Sequence, residues 1–388
     1  MGETESMKKR NSLGAFFLAV LLLVAQMPRV QAEEVTEVRA KSAILVEAET
    51  GTVLYEMNAR ERRACGSVTK LMSLLLFMEA MEAGKYSLED VVTVSEFANS
   101  MGGSEIWLEV GEQMTVEDLL KSVIIQSAND STVALAEFTE GSEEAFLAAM
   151  NRRAAELGMN DTHYLNTTGF DEEGQYTTAY DLSLVARELI RYKKIFDYTT
   201  VWMDELRGGK TMLTNTNKLL KTYSGITGLK TGTTDEAGNC FCGTAERDGM
   251  TLISVVLGSE TSEDRFASTR RLLDHGFANW AIYRPDFDTI EIPEVAVNGG
   301  MKPSVCGEIS RSTDAILVPK GSLGKVQLSV SMAENVVAPV EQGQTLGNVQ
   351  VLLEGKQLCQ YPVLAPEKVD AIGLWEAFGL LWRAFLKI

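Results

Sequence analysis

Three short strings hold the side chains of this 388-residue chain best suited to covalent chemistry: Ser67-Val68-Thr69-Lys70, Ser127-Ala128-Asn129 and Lys230-Thr231-Gly232. Together they offer a nucleophilic hydroxyl, an amine base in place of histidine, a second hydroxyl to relay a proton, and a cation for a carboxylate. That set suits acyl transfer through a serine ester. Ser67 and Lys70 are spaced i,i+3 and would share one face of a helix. A helix N-terminus favours a developing alkoxide and disfavours an ammonium. Lysine can serve as a base only if its ordinary pKa of about 10.4 is pulled down. Burial and a nearby cation both do this, and Lys230 is the expected cation.

Each string also has a plainer reading. Ser127-Ala128-Asn129 falls between two expected helices, where Asn129 or Asp130 would simply be an N-cap. In the chemical reading Ser127 passes a proton, and Asn129 orients Lys70 and a substrate amide. Lys230-Thr231-Gly232 reads as a strand in which the glycine lets an extended peptide approach, while Lys230 and Thr231 hold its carboxylate. The plain alternative is an edge strand blunted by a lysine.

The elements that must position these groups follow from pattern. Residues 39–56 alternate about Glu49-Thr50-Gly51 and predict a hairpin. Val68 to Ala83 is helical, apolar on most faces and stopped by Gly84, so it belongs in the interior. Thr115-Val116-Glu117-Asp118 opens a helix to about Ile125. Further helices are expected over Ser131–Thr139, Ser142–Leu157 and Thr178–Tyr192. Three strands follow at Gly228–Thr233, Gly238–Arg247 and Met250–Gly258, the last two joined by Asp248-Gly249, a two-residue hairpin signal. A helix from Ser262 to Trp280 closes the unit. The expected architecture is α+β: an antiparallel sheet flanked by helices, with a helical subdomain, over residues 38–283. Ile290–Ile292, Ala315–Val318, Val326–Val330 and Val349–Leu352 then predict a small all-β sandwich over 284–366.

Both ends are distinctive. Lys8-Lys9-Arg10, the apolar run Leu13–Ala25 and Val30-Gln31-Ala32 read as a secretion signal over residues 1–32, with an uncleaved membrane anchor as the alternative. Residues 368–388 form an amphipathic helix, with Leu374, Phe378, Leu381, Phe385 and Ile388 on one side, flanked by Trp375 and Trp382. It either docks on the β domain or lies in a membrane interface as an anchor. The expected location is therefore outside the cytoplasm, on the outer face of the cytoplasmic membrane. A net charge of −18 argues against nucleic acid as a partner. Five cysteines, at 65, 240, 242, 306 and 359, leave at least one free thiol, and no Cys/His spacing suggests a metal site. Neither a metal nor a cofactor is expected. A Ser-His-Asp hydrolase is disfavoured, since His163 and His275 stand in no Gly-x-Ser-x-Gly context.

The three strings in this order resemble the serine-lysine penicillin-recognising enzymes. Longer strings resemble one branch more closely, the low-molecular-mass penicillin-binding proteins or D-alanyl-D-alanine carboxypeptidases of peptidase family S11. These strings are Val68-Thr69-Lys70-Leu71-Met72, Met101-Gly102-Gly103-Ser104, Ser127-Ala128-Asn129-Asp130, Asn217-Lys218-Leu219 and Gly228-Leu229-Lys230-Thr231-Gly232. Ala338-Pro339-Val340 and Gln342-Gly343-Gln344 resemble that family's C-terminal domain. The resemblance implies Ser67 as nucleophile, Lys70 as general base, Ser127 as proton relay and Asn129 as the positioning group. It implies Lys230, Thr231, Gly232 and Thr233 as the substrate-binding strand, with Arg265 supporting the carboxylate site. Arg265 is otherwise a solvated helix arginine. The backbone N–H groups of Ser67 and Thr233 would form the oxyanion hole. The implied partners are peptidoglycan stem peptides ending in D-Ala-D-Ala, and β-lactams as covalent inhibitors. A β-lactamase would share the motifs but needs a deacylating glutamate, for which no convincing string is present. A catalytically silent wall-binding protein is the remaining alternative. Three departures stand near the site: Cys65-Gly66 where the family usually has Pro-Ala, Thr233 where some members have histidine, and Gln175 where histidine is common.

Overall fold

A computed structural model describes residues 37–310 and 315–386; the expected secretion signal lies outside the described residues. Ser42–Glu47 and Val53–Met57 pair as the expected hairpin, with the buried Glu47 carboxylate accepting the N–H groups of Glu49 and Thr50 across the turn. Ile226–Thr234, Gly238–Arg247 and Met250–Ser259 complete an antiparallel five-stranded sheet. Met250–Ser259 lies against Ser42–Glu47, and Ile226–Thr234 ends the sheet as an edge. Asp248 and Gly249 both adopt positive φ, 51° and 73°, as a two-residue turn between right-twisted strands requires.

The helix Lys70–Glu82 runs through the interior. Leu71, Met72, Leu74, Leu75, Phe77 and Met78 are buried on several of its faces, which is why its sequence lacks a polar stripe. Gly84 follows it at φ 70°. Around it stand the helices Asn129–Glu140, Glu143–Glu156 and Ala179–Leu189, the last two capped by Ser142 and Thr178 hydroxyls. Thr115 caps Val116–Lys121, which continues into a wider π-helical turn, Ser122–Gln126. On the sheet's other side Ser262–Asn279 packs against Met250–Ser259 and Gly238–Arg247.

Beyond it the pattern changes to sheets alone. Val295–Asn298, Ser304–Val305 and Asn335–Val337 make a three-stranded sheet; Glu308–Ile309, Val326–Met332, Thr345–Leu353 and Lys356–Leu364 make a four-stranded one. A small core of Val295, Val297, Val305, Val340, Leu346, Ala365 and Val369 lies between them. Two expectations need correction. Ile290–Ile292 is not a strand, because its alternation meets no partner. Ile316–Pro319 is a strand but joins neither sheet; it pairs with Trp280–Tyr283 at the tail of the long helix. The terminal helix Leu374–Leu386 leaves Leu374, Trp375, Phe378, Leu381 and Trp382 exposed, so that apolar face does not dock on the β domain. Among the described residues no helix is long and apolar enough to cross a membrane.

Candidate active site

Ser67 sits in a single 3-10 turn, Gly66–Thr69, that leads directly into the interior helix. The turn is held by close backbone approach on two sides. A Cβ on Gly169 would lie 2.0 Å from the Gly66 carbonyl oxygen, and one on Gly232 would lie 2.3 Å from that of Cys65. The glycine of the Lys-Thr-Gly strand is therefore required by the turn that carries Ser67, independently of any ligand. Gly66 itself has φ 55°, and a Cβ on it would lie 3.0 Å from the Thr233 amide nitrogen. The amides of Ser67 and Thr233 thus flank the same turn.

Lys70 is fully buried, and its Nζ has three partners: Ser67 Oγ at 3.0 Å, Asn129 Oδ1 at 2.6 Å and the Thr168 carbonyl at 2.8 Å. Only Ser67 among them can also donate. An ammonium satisfies all three as acceptors. A neutral amine spends its two N–H groups on Asn129 and Thr168 and turns its lone pair toward the Ser67 hydroxyl. Burial first, and the Lys230 cation second, hold Lys70 well below the ordinary lysine range. The expected cation is in place.

Asn129 is not a helix cap. Ala128 occupies that position without a side-chain bond, and the Asn129 amide instead donates to the Gly102 carbonyl at 2.6 Å. The buried Asp130 carboxylate accepts the N–H groups of Ile106, Leu108 and Ser131, fixing the loop that carries Gly102. Ser127 ends the π-helical turn at φ 65°, in the left-handed region that costs a non-glycine residue about 1 kcal/mol or more. That conformation aims its hydroxyl at Lys230 Nζ, 2.8 Å away. Lys230 is buried, and desolvation together with Arg265 brings its pKa down to about 7.

Arg265 is 7% exposed rather than solvated. Its guanidinium donates to the Gly232 carbonyl at 3.0 Å, Thr233 Oγ1 at 2.9 Å and the Cys240 carbonyl at 3.3 Å. Thr231 Oγ1 donates to Thr216 Oγ1 at 2.7 Å. The structure therefore gathers Ser67, Lys70 and Asn129 in one hydrogen-bonded set and Ser127 and Lys230 in a second, coupled to the first by the Lys230 charge acting on Lys70, with Thr231, Gly232, Thr233 and Arg265 along the edge strand. Thr216, Thr168 and Gly169 escaped sequence reasoning. The last two act through backbone geometry, which carries no side-chain signature; Thr216 stands one residue before Asn217-Lys218-Leu219.

Two of the departures have clear settings. Cys65 is buried with its Sγ 3.3 Å from Thr69 Oγ1, and burial pushes its pKa up to about 12, so it stays a protonated thiol. Thr233 is exposed at the rim, bound to Arg265.

Comparison with known proteins agrees with this geometry. The family model for D-alanyl-D-alanine carboxypeptidase, peptidase S11, matches residues 29–261, and the model of the penicillin-binding protein 5 C-terminal domain matches 291–371. The D-alanyl-D-alanine carboxypeptidase DacF of Bacillus subtilis is 41% identical over 339 residues, 86% of this chain and 87% of its own length. Penicillin-binding protein 5 from Haemophilus influenzae superposes with a TM-score of 0.73 at 30% identity, covering 86% of this chain and 98% of that one. Penicillin-binding protein D2 from Listeria monocytogenes, solved in its ampicillin-bound form, superposes at 0.57 with 33% identity over 62% of this chain and 99% of that one. The chain belongs to the D-alanyl-D-alanine carboxypeptidases of peptidase family S11.

Proposed function

We propose that this chain removes the terminal D-alanine from peptidoglycan stem pentapeptides ending in D-Ala-D-Ala, through an acyl-enzyme on Ser67. The hydrogen-bond set of Lys70 carries the reading: its two non-donating partners leave a neutral amine one direction for its lone pair, toward Ser67 Oγ. Neutral Lys70 takes the Ser67 proton as Oγ attacks the carbonyl carbon of the penultimate D-alanine. The N–H groups of Ser67 and Thr233 hold the oxyanion. As the C–N bond breaks, the proton passes by way of Ser127 to the leaving nitrogen, and D-alanine departs. Water, deprotonated by Lys70, then hydrolyses the ester. Lys230, Thr231, Thr233 and Arg265 receive the substrate carboxylate, while Gly232 keeps the strand against the nucleophile turn. Asn129 holds Lys70 in place. A β-lactam enters the same acylation and stops at the ester, a course supported by the ampicillin-bound Listeria relative.

Ser67→Ala tests the reading. Release of D-alanine from a pentapeptide and covalent labelling by a fluorescent penicillin should both vanish; a mass shift persisting after penicillin treatment would overturn the assignment. We infer further that the catalytic unit spans 38–283 and the β domain 284–366, that residues 1–32 direct export, and that the terminal helix lies in the outer face of the cytoplasmic membrane. Its exposed Leu374, Trp375, Phe378, Leu381 and Trp382 support the last point. Removing residues 371–388 should leave acylation intact and move the protein to the soluble fraction. Unchanged membrane retention would shift the anchor to the N-terminal segment.

A further inference from the structure

The loop from Leu165 to Gln175 supplies the one partner of Lys70 that is a backbone group, and two side chains of that loop, Gln175 and Asn166, close it. Gln175 Oε1 accepts the N–H groups of Leu165 at 2.9 Å and Asn166 at 3.0 Å, while Nε2 donates to the Phe170 carbonyl at 2.8 Å. Asn166 Oδ1 in turn accepts the N–H groups of Gly169 at 2.7 Å and Phe170 at 3.1 Å. Between these two clamps lie the Thr168 carbonyl, bound to Lys70, and Gly169, pressed against the Gly66 carbonyl. Past them Asp171 accepts from Thr234 Oγ1 at 2.6 Å and from the Glu236 N–H at 3.1 Å, tying the loop to the far end of the edge strand.

We propose that Gln175 is a positioning residue for the general base: by holding the 165–170 loop closed, it fixes the Thr168 carbonyl that takes one N–H of Lys70. This rests on Lys70 being the base in the reading above. With the carbonyl in place, a neutral Lys70 has both N–H groups bound and its lone pair on Ser67. With the carbonyl withdrawn, one N–H is free to rotate onto Ser67 Oγ, and the amine no longer faces the proton it must remove. Gln175 touches neither Ser67 nor the substrate strand, so its loss acts on the chemical step and leaves the carboxylate pocket as it was.

The test separates binding from acylation with a chromogenic penicillin on the full chain. In Gln175→Ala the first-order acylation constant should fall about 10- to 100-fold, the scale of a misplaced catalytic group, while the pre-acylation dissociation constant stays within about twofold. Gln175→Glu keeps the acceptor for Leu165 and Asn166 but loses the donor to Phe170. It should fall between wild type and Gln175→Ala, and it decides the matter if the alanine variant does not fold. Acylation at the wild-type rate in the variants, or a loss confined to the dissociation constant, overturns the proposal. Ser67→Ala runs alongside: persistent labelling there would overturn the reading of the site itself, whatever Gln175 does.

Discussion

The two parts of the molecule handle buried charge in opposite ways. Every buried charged side chain among the described residues lies before position 266: Glu47, Lys70, Asp130, Asp181, Lys230 and Arg265. The β portion has a small core without a buried charged side chain, and ion pairs such as Lys302–Glu367 and Lys325–Glu354 that lie in solvent. Burying an ammonium is costly unless its protons are matched to acceptors, so the catalytic part accepts an electrostatic penalty that the β part avoids. The large apolar interior around Lys70–Glu82 sustains it. The buried cations Lys70, Lys230 and Arg265 cluster at the candidate site, whereas Glu47 and Asp130 are buried as acceptors of backbone N–H groups.

The contrast can be attacked directly. The largest effect should come from Gly169→Ala, whose Cβ would strike the Gly66 carbonyl and displace the nucleophile turn. Penicillin acylation should drop by about 100-fold or more, read as the rate of adduct formation by mass spectrometry. Activity near wild type would mean the turn is not held from that side.

Lys230→Met probes the penalty itself. The folded-state pKa of Lys230 is depressed to about 7, so the folded protein binds fewer protons than the unfolded chain between that pH and the ordinary lysine value. The cost is therefore full below about pH 7 and disappears as the pH rises above about 10.4. Relative to wild type, Lys230→Met should be more stable at pH 6 than at pH 10, by urea unfolding at both. Removing this cation also raises the pKa of Lys70, so any residual acylation should have its ascending pH limb moved upward. A variant whose stability difference is flat from pH 6 to 10 would remove Lys230 from the argument.

In the β part, Leu346→Ala should cost about 2–4 kcal/mol of local stability through the cavity it leaves, with penicillin acylation within about twofold of wild type. A parallel loss of acylation would show that the two parts do not divide their tasks. The smallest effect belongs to Arg284→Ala, which breaks a half-exposed ion pair with Glu49 at 2.5 Å across the junction. Less than about 1 kcal/mol is expected in a thermal scan.

What could be read in the sequence was what is written in local order. Ser67 and Lys70 declared themselves by spacing, Asp248-Gly249 by turn chemistry, and the interior helix by the absence of a polar stripe. The plain readings of Asn129 as a cap and Arg265 as a solvated side chain could be settled only by tertiary contacts: Gly102 for one, Gly232 and Cys240 for the other. The Thr168 carbonyl and the crowding at Gly169 had no residue-level signal, because any residue carries a carbonyl and glycine has many uses. Ile290–Ile292 misled for a related reason: alternation reports a face, not the presence of a neighbour to pair with.

Ser127 sets the needs of the fold and of the reaction against each other at one α-carbon. Its φ of 65° suits glycine better than serine. Selection for thermal persistence alone would drift toward glycine here and discard the hydroxyl that reaches Lys230. If Ser127 relays the proton as proposed, a screen for hardier variants of this protein would therefore tend to enrich folded, well-behaved and inactive chains through this position.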